Sequence, residues 1–153
     1  VSEQTNVRSW MAEALAEARA ALATGDVPVG AVVVDESGVV IARGRNEREA
    51  TGDPTAHAEV VALRAAAALR GDWNLASCIL VVTLEPCAMC AGAALASRVG
   101  RVVYGAWDDK AGAVGSVYDL LRDRRLPHRV EVVAGVDADL SSAMLRQFFD
   151  DRR

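Results

Sequence analysis

Thr83 to Gly92 reads TLEPCAMCAG, which sets two thiols three residues apart directly after a proline and at the end of an apolar run. Proline at that point favours the first turn of a helix. The stretch therefore reads as a short buried strand, Cys78 to Leu84 (CILVVTL), passing into a helix that continues through AMCAGAALAS. Cys87 and Cys90, at i and i+3, then share one helix face. The positive end of the helix dipole lowers their pKa values, so both ionise readily. Two thiols so placed at a strand–helix junction serve either as metal ligands or as a redox dithiol.

Working outward, apolar and small residues recur at helical spacing from Val7 to Leu22, through Trp10, Met11, Ala14, Leu15 and Ala18, and Gly25 closes that helix. VPVGAVVVDESGVVIARG is two apolar runs around a turn at Asp35 to Gly38, a β-hairpin signal. Asn46 to Thr55 is polar, contains Gly52 and Pro54, and reads as a loop. HAEVVALRAAAALR, from about His57 to Arg70, is rich in strong helix formers. Beyond the cysteines, RVVYGA is a strand, GSVYDLLRD a short helix, RVEVVAGV a fifth strand, and a last helix runs from about Ala138 to the end. Strands alternating with helices after an opening hairpin predict an α/β layered domain with a mixed five-stranded sheet.

The chain has 153 residues, enough for one core, and residues 1–153 are expected to form a single domain. Its apolar fraction is 52%, that of an ordinary globule. No apolar run approaches the roughly 20 residues that span a bilayer, and no membrane association is expected. The opening VSEQTNVRSWMAEA lacks a basic patch followed by an apolar segment, so no secretory signal is expected there. Three cysteines, Cys78, Cys87 and Cys90, are an odd number that gives no disulfide framework and fits a reducing, cytoplasmic setting. The net charge of −4 gives no support to a general nucleic-acid binder. It does not exclude a local basic surface. Only Lys110 among the 17 basic residues is lysine, as a genome-wide codon bias would produce.

A catalytic zinc takes three protein ligands plus water, so a third ligand is needed. The chain holds two histidines. His57 heads the second helix within PTAHAEV, whereas His128, in LPHRVE, reads as a loop or strand-end residue. Two helix starts that each deliver ligands can converge at one end of a sheet, which spacing alone does not establish. Glu59 follows His57 by two residues, which mid-helix would set them about 200° apart. At a helix start the first residue can leave helical geometry, and both can then face one pocket. A redox dithiol, and a closed structural zinc site with Glu59 as fourth ligand, are the competing readings. Cys78, alone in an apolar strand, reads as core.

H-A-E followed by P-C-x-x-C is the signature of zinc-dependent nucleobase deaminases. The chain resembles the bacterial tRNA-specific adenosine deaminases through DVPVGAVVV, GRN, DPTAHAEVVALR, TLEPCAMCAGA, SRVGRVVYGA, GAVGS, HRVEVV and the late FF, from Asp26 to Phe149. The resemblance implies a three-layer cytidine-deaminase-like fold, one Zn²⁺ per subunit held by His57, Cys87 and Cys90, and no nucleotide cofactor. It makes Glu59 the proton shuttle that serves a metal-activated water attacking C6 of adenine. The product is inosine at the wobble position of a tRNA anticodon loop, with release of ammonia. The alternative within this fold is a free guanine deaminase. PVGA, TLEPC and GAVGS favour the tRNA enzymes.

The resemblance further implies that Asn46 and the backbone N–H of Ala58 hydrogen-bond the flipped purine, with Val29 and Leu84 as apolar walls. Asn46 also reads as a strand end, and Val29 and Leu84 as core. Asp108, in AWDDKAG, reads either as an acceptor for a ribose 2′-OH, which only RNA carries, or as a solvated loop acid. Arg122, Arg124, Arg125 and Arg129 in RDRRLPHR, with Arg152 and Arg153, are candidates for phosphate contact or a solvated surface. Phe148 and Phe149 either line an RNA surface or anchor the last helix. A homodimer is implied, with the helix from Cys87 to Ser97 as one possible interface. A non-catalytic, RNA-binding subunit is a different class of reading, and such subunits tend to lose the shuttle carboxylate that Glu59 supplies here.

Overall fold

Strand β1 (Gly30–Val34) is buried along its whole length, and this one feature organises the rest. In a strand, successive side chains point to opposite faces, so a continuous apolar run needs cover on both. Ala31 and Val33 pack in one cluster with Ala58, Ala62 and Leu63. Val32 and Val34 pack in another with Val7, Met11, Ala14 and Leu15. The sheet is thus the middle of three layers. The computed structural model describes residues 3–152.

In chain order the elements are α1 (Glu3–Ala21), β1, β2 (Val40–Arg45), the single turn α2 (Arg48–Thr51), α3 (Ala58–Arg70), β3 (Ile79–Leu84), α4 (Ala88–Ser97), β4 (Arg101–Ala106), β5 (Glu131–Val133) and α5 (Ala138–Asp150). The sheet order is β2-β1-β3-β4-β5. β1 is antiparallel to β2 and to β3, while β3, β4 and β5 run parallel. The expected mixed five-stranded sheet is therefore present.

The directions matter for function. Because β2 and β3 are each antiparallel to β1, they run the same way, and β4 runs with them. The chain leaves the carboxyl ends of all three at one edge of the sheet, where open α/β sheets bind ligands. Segments 46–59, 85–90 and 107–112 all emerge there, together with Val27 and Val29 just before β1. Helix α3 lies directly on β2. A Cβ on Gly44 would sit 2.6 Å from the backbone nitrogen of Ala62 and closer still to the Ala58 carbonyl.

The first helix presents Val7, Met11, Ala14, Leu15 and Ala18 to the core as its spacing predicts. It runs on through a 3₁₀ turn, Leu22–Thr24, which Gly25 ends at φ 73°. The hairpin turns at Asp35, whose Oδ1 accepts the N–H groups of Ser37 and Val39. Two expectations are corrected. The polar stretch 46–55 is not all loop, because it contains α2. GSVYDLLRD is not a helix: residues 115–123 fold as turns around an isolated bridge between Val114 and Asp119. Gly115, Val117, Tyr118 and Asp119 are poor helix formers, and a buried carboxylate takes the N–H groups of Val114 and Ser116.

Helix α5 carries one flaw. The hydroxyl of Ser141 is buried and has no hydrogen-bond partner among the described residues. Removing an unsatisfied buried polar atom relieves its desolvation cost, and alanine is the better helix former. Ser141→Ala is expected to stabilise the protein by about 1 kcal/mol, read as a higher urea midpoint at unchanged m-value.

Candidate metal centre and active site

His57 and Cys87 occupy equivalent places. Each is the residue immediately before a helix, with extended backbone: φ −72°, ψ 152° at His57 before α3, and φ −75°, ψ 178° at Cys87 before α4. Leaving helical geometry at this point swings each side chain off the helix axis and toward the other. Cys90 follows one turn into α4 and is buried. The two sulfurs lie 3.6 Å (Cys87) and 3.5 Å (Cys90) from His57 Nδ1. All three ligand atoms fall within 4.8 Å of one another, and no other group of metal-binding side chains is so arranged among the described residues.

These distances fit zinc. Bond lengths of about 2.3 Å to sulfur and 2.1 Å to nitrogen in a tetrahedron put the S···N edge at about 3.6 Å. Three ligands leave the fourth position for water or substrate. The thiols are already poised: the hydrogen bond from Cys90, helped by His57, lowers the Cys87 pKa to about 3. That same bond, with burial and the nearby Glu59, holds the Cys90 proton on. The expectation that both thiols ionise readily therefore holds for Cys87 and is corrected for Cys90, whose bond to Cys87, burial and acidic neighbours favour the thiol. His57 is raised by its contact with Cys87, against the opposing effect of burial.

Glu59 is the second residue of α3 and only 4% exposed. Its carboxyl lies beside Cys90, and burial pushes its pKa up. Glu59, Ala62, Leu63 and Ala66 form one buried stripe of α3, so the carboxylate is held at the head of an apolar helix face. His57 and Glu59 both line a cavity of about 180 Å³ at the carboxyl edge of the sheet. Every residue expected to touch substrate borders this cavity too: Val29, Asn46, Ala58, Leu84 and Asp108. The volume lies below the ~300 Å³ at which pockets for drug-sized ligands begin, and suits a single base.

The individual residues have distinct settings. Asn46 is buried, and its Oδ1 accepts the Arg48 N–H at 3.2 Å. Ala58 opens α3, so its N–H has no preceding helical carbonyl to bond. Asp108 spends Oδ1 on the N–H groups of Lys110 and Ala111, a turn-capping role alongside its place on the cavity wall. His128 stands apart from the trio and donates from Nε2 to the Val99 carbonyl. Cys78 is buried in the core beside the start of β3.

The basic cluster is partly neutralised. Arg122 pairs with Asp119 and Arg125 with Asp123, and the Arg125 guanidinium lowers the Asp123 pKa to about 2. Arg124 and Arg129 form no ion pair among the described residues. Arg152 donates to the Phe148 carbonyl and lies over the Phe148 ring, while Arg153 lies outside the described residues. Phe148 is core, whereas Phe149 is half exposed.

Sequence reasoning passed over Glu85. This residue of the TLEPC stretch is 2% exposed and accepts four hydrogen bonds: from the N–H groups of Asp108, Val114 and Ser116, each at 3.0 Å, and from the Ser116 hydroxyl. Burial pushes its pKa up, but the hydrogen bonds outweigh that and hold it below the usual carboxylate range. A Cβ on Gly112 would fall on the Glu85 carboxyl, so the glycine makes room for the carboxylate. Glu85 thereby pins the loop that carries Asp108. Asp26, also buried, does the same for α2 by accepting the N–H groups of Glu49 (2.7 Å) and Ala50 (3.2 Å). Glu85→Ala would strand three backbone donors. We expect it to destabilise the protein by at least about 3 kcal/mol, measured by urea unfolding.

Residues 4–106 match the family model described as the cytidine and deoxycytidylate deaminase zinc-binding region. The chain belongs to this deaminase family. Among curated relatives, a stretch of the tRNA(Ile)-lysidine synthase of Deinococcus radiodurans is 51% identical over 94% of the chain, which spans 24% of that longer protein. The tRNA-specific adenosine deaminase of Bacillus subtilis is 45% identical over 94% of this chain and 89% of its own. A structure solved in a study of A-to-I editing by tRNA:A34 deaminases superposes with a TM-score of 0.85 at 41% identity, covering 90% of this chain and 99% of that one. Guanine deaminase from Nitrosomonas europaea superposes with a TM-score of 0.81 at 30% identity, over 92% of this chain and 83% of that one.

Proposed function

We propose that the protein hydrolytically deaminates adenosine to inosine at the wobble position of a tRNA anticodon loop, as one deaminase domain over residues 1–153. The observation that carries this reading is the shared cavity, where a three-ligand metal site and a buried carboxylate meet a wall bearing unspent hydrogen-bond donors. His57, Cys87 and Cys90 are the ligands, one zinc to each subunit. When bound, zinc supplies the Lewis acidity that makes water nucleophilic near neutral pH.

Glu59 takes a proton from the attacking water and delivers it to N1 of the purine. The remaining proton of that water then passes to the amino group as C6 becomes a carbonyl, the bond from C6 to nitrogen breaks, and ammonia leaves. Atoms balance as adenosine plus water giving inosine plus ammonia. The carboxyl suits this double duty because burial raises its pKa above the ordinary carboxylate value, as general acids require. Asn46, through its amide N–H groups, and Ala58, through its backbone N–H, hold the purine edge between Val29 and Leu84. Asp108 accepts from the ribose 2′-OH. A single-stranded loop minimises the cost of flipping the base into a cavity this small.

A homodimer is part of the proposal. An apolar groove runs between α3 and α4, lined by Val60, Leu63, Ala67, Trp73, Ala93 and Ala96, and Trp73 is 63% exposed there. Two copies meeting at this groove would cover it. The cytoplasm is the expected location, since the free Cys87 and Cys90 thiols need reducing conditions to serve as ligands. No helix of the described residues is long and apolar enough to cross a membrane.

The superposition on a guanine deaminase supports a second reading, in which free guanine is the substrate. Zinc-loaded protein should be incubated with an adenosine-containing anticodon stem-loop and, separately, with guanine. Inosine in the first is the expected result, and xanthine in the second without inosine in the first would overturn it.

A further inference from the structure

Among the lysines and arginines of the described residues, Arg48 alone borders the cavity. Its guanidinium enters no ion pair among the described residues. Other arginines of the surface do pair, among them Arg43 with Glu13 and Arg70 with Glu36. Arg48 has acidic company on the wall, but none of those acids pairs with it among the described residues, and each has other partners. Glu85 is consumed by the 108–116 loop, Asp108 caps its own turn, and Glu59 is buried beside the thiols.

The backbone beneath Arg48 is fixed from three sides. Its N–H is bonded to Asn46 Oδ1, its carbonyl accepts the Gly52 N–H at 2.9 Å, and the next two N–H groups are clamped by buried Asp26. A free cation is thus tethered, through one hydrogen bond, to the side chain that would read the purine. The exposed guanidinium has the planar fork that matches phosphate oxygens.

We propose that Arg48 binds a phosphodiester flanking the reactive nucleotide, and so makes the site select a base carried in a nucleic-acid chain over a free base. A free purine offers no anion for this contact. The inference rests on the adenosine-in-RNA reading above. Arg48 is a substrate-binding residue and takes no part in proton transfer.

The test uses the zinc-loaded enzyme and an anticodon stem-loop with one target adenosine. Arg48→Ala is expected to raise KM about tenfold, with the loss carried by KM rather than kcat. Because one phosphate contact on a single strand contributes about 0.7 to the slope of log affinity against log salt, the variant's slope should be shallower by about that much. Arg48→Lys should restore the slope but only part of the affinity. Replacing each phosphate beside the adenosine in turn with an uncharged methylphosphonate should weaken the wild type about tenfold at one position, and Arg48→Ala no further at that position. A merely structural role for Arg48 would not erase that penalty. Wild-type KM and salt slope in Arg48→Ala, or an undiminished methylphosphonate penalty, would overturn the assignment while leaving the proposed function standing. A wild-type enzyme inert on the stem-loop would overturn both.

Discussion

Replacing Glu59 with glutamine is expected to cut turnover on adenosine-containing RNA by about 10²–10⁴-fold, the usual worth of a positioned general acid–base. Zinc content should stay at the wild-type level. Glutamine fills the same space at the head of the α3 stripe with Ala62, Leu63 and Ala66, so the helix keeps its packing. It also removes an ionisable group whose charge is disfavoured by burial, and the melting temperature should hold or rise. Activity would fall while stability does not, the trade-off expected where a buried ionisable group serves catalysis. Were Glu59 instead a fourth ligand of a closed structural site, the same substitution would lower zinc content and the melting temperature together. Zinc analysis, thermal melting and single-turnover kinetics on one preparation separate the two.

Much of the site was legible because its residues head elements whose patterns are strong. Val7 to Ala21 follows a helical stripe, GAVVV is an unbroken apolar strand, and Pro86 marks the start of α4. Glu59 was legible through the H-A-E motif, while its burial in one stripe with Ala62, Leu63 and Ala66 came only with the fold. What the spacing could not give was the meeting of His57 with Cys87. That depends on β2 and β3 running the same way, which follows only from β1 standing between them.

The misread segment has a different cause. GSVYDLLRD sets Leu120 and Leu121 three and four residues after Val117, a helical offset, and local pattern alone favoured a helix. The competing force is non-local: Glu85, some thirty residues earlier, claims the N–H groups of Val114 and Ser116. Leu121 still reaches the core, but from a turn. The same blindness hid Glu85 and Asp26, since their partners are backbone atoms of distant loops and leave no spacing to detect. Both acids stood inside stretches that resemble the family, TLEPC and DVPVG, and that was the only signal. The loops they hold are the ones that bring Asp108 and Arg48 to the cavity.

Cys90→Ala should lose activity to the limit of detection and should lose the stabilising effect of zinc with it. Cys90 is buried, and its sulfur stands 3.5 Å from His57 Nδ1, so no outside group can take its place without repacking α4. Two thiolates neutralise the +2 charge of the ion. With one gone, a buried net charge remains, held by only two ligands. For the wild type, zinc at a thousand times its dissociation constant stabilises the folded state by about 4 kcal/mol. In a domain of this size that raises Tm by roughly 8–16 °C, and a chelator should reverse the shift. The Cys90→Ala protein should melt no higher than the chelated wild type, since the change also deletes a fully buried sulfur and its contacts, and its Tm should not respond to zinc or to chelator. A variant that still binds zinc stoichiometrically, or one whose Tm still climbs with added zinc, would remove Cys90 from the metal site and leave the trio without its buried member.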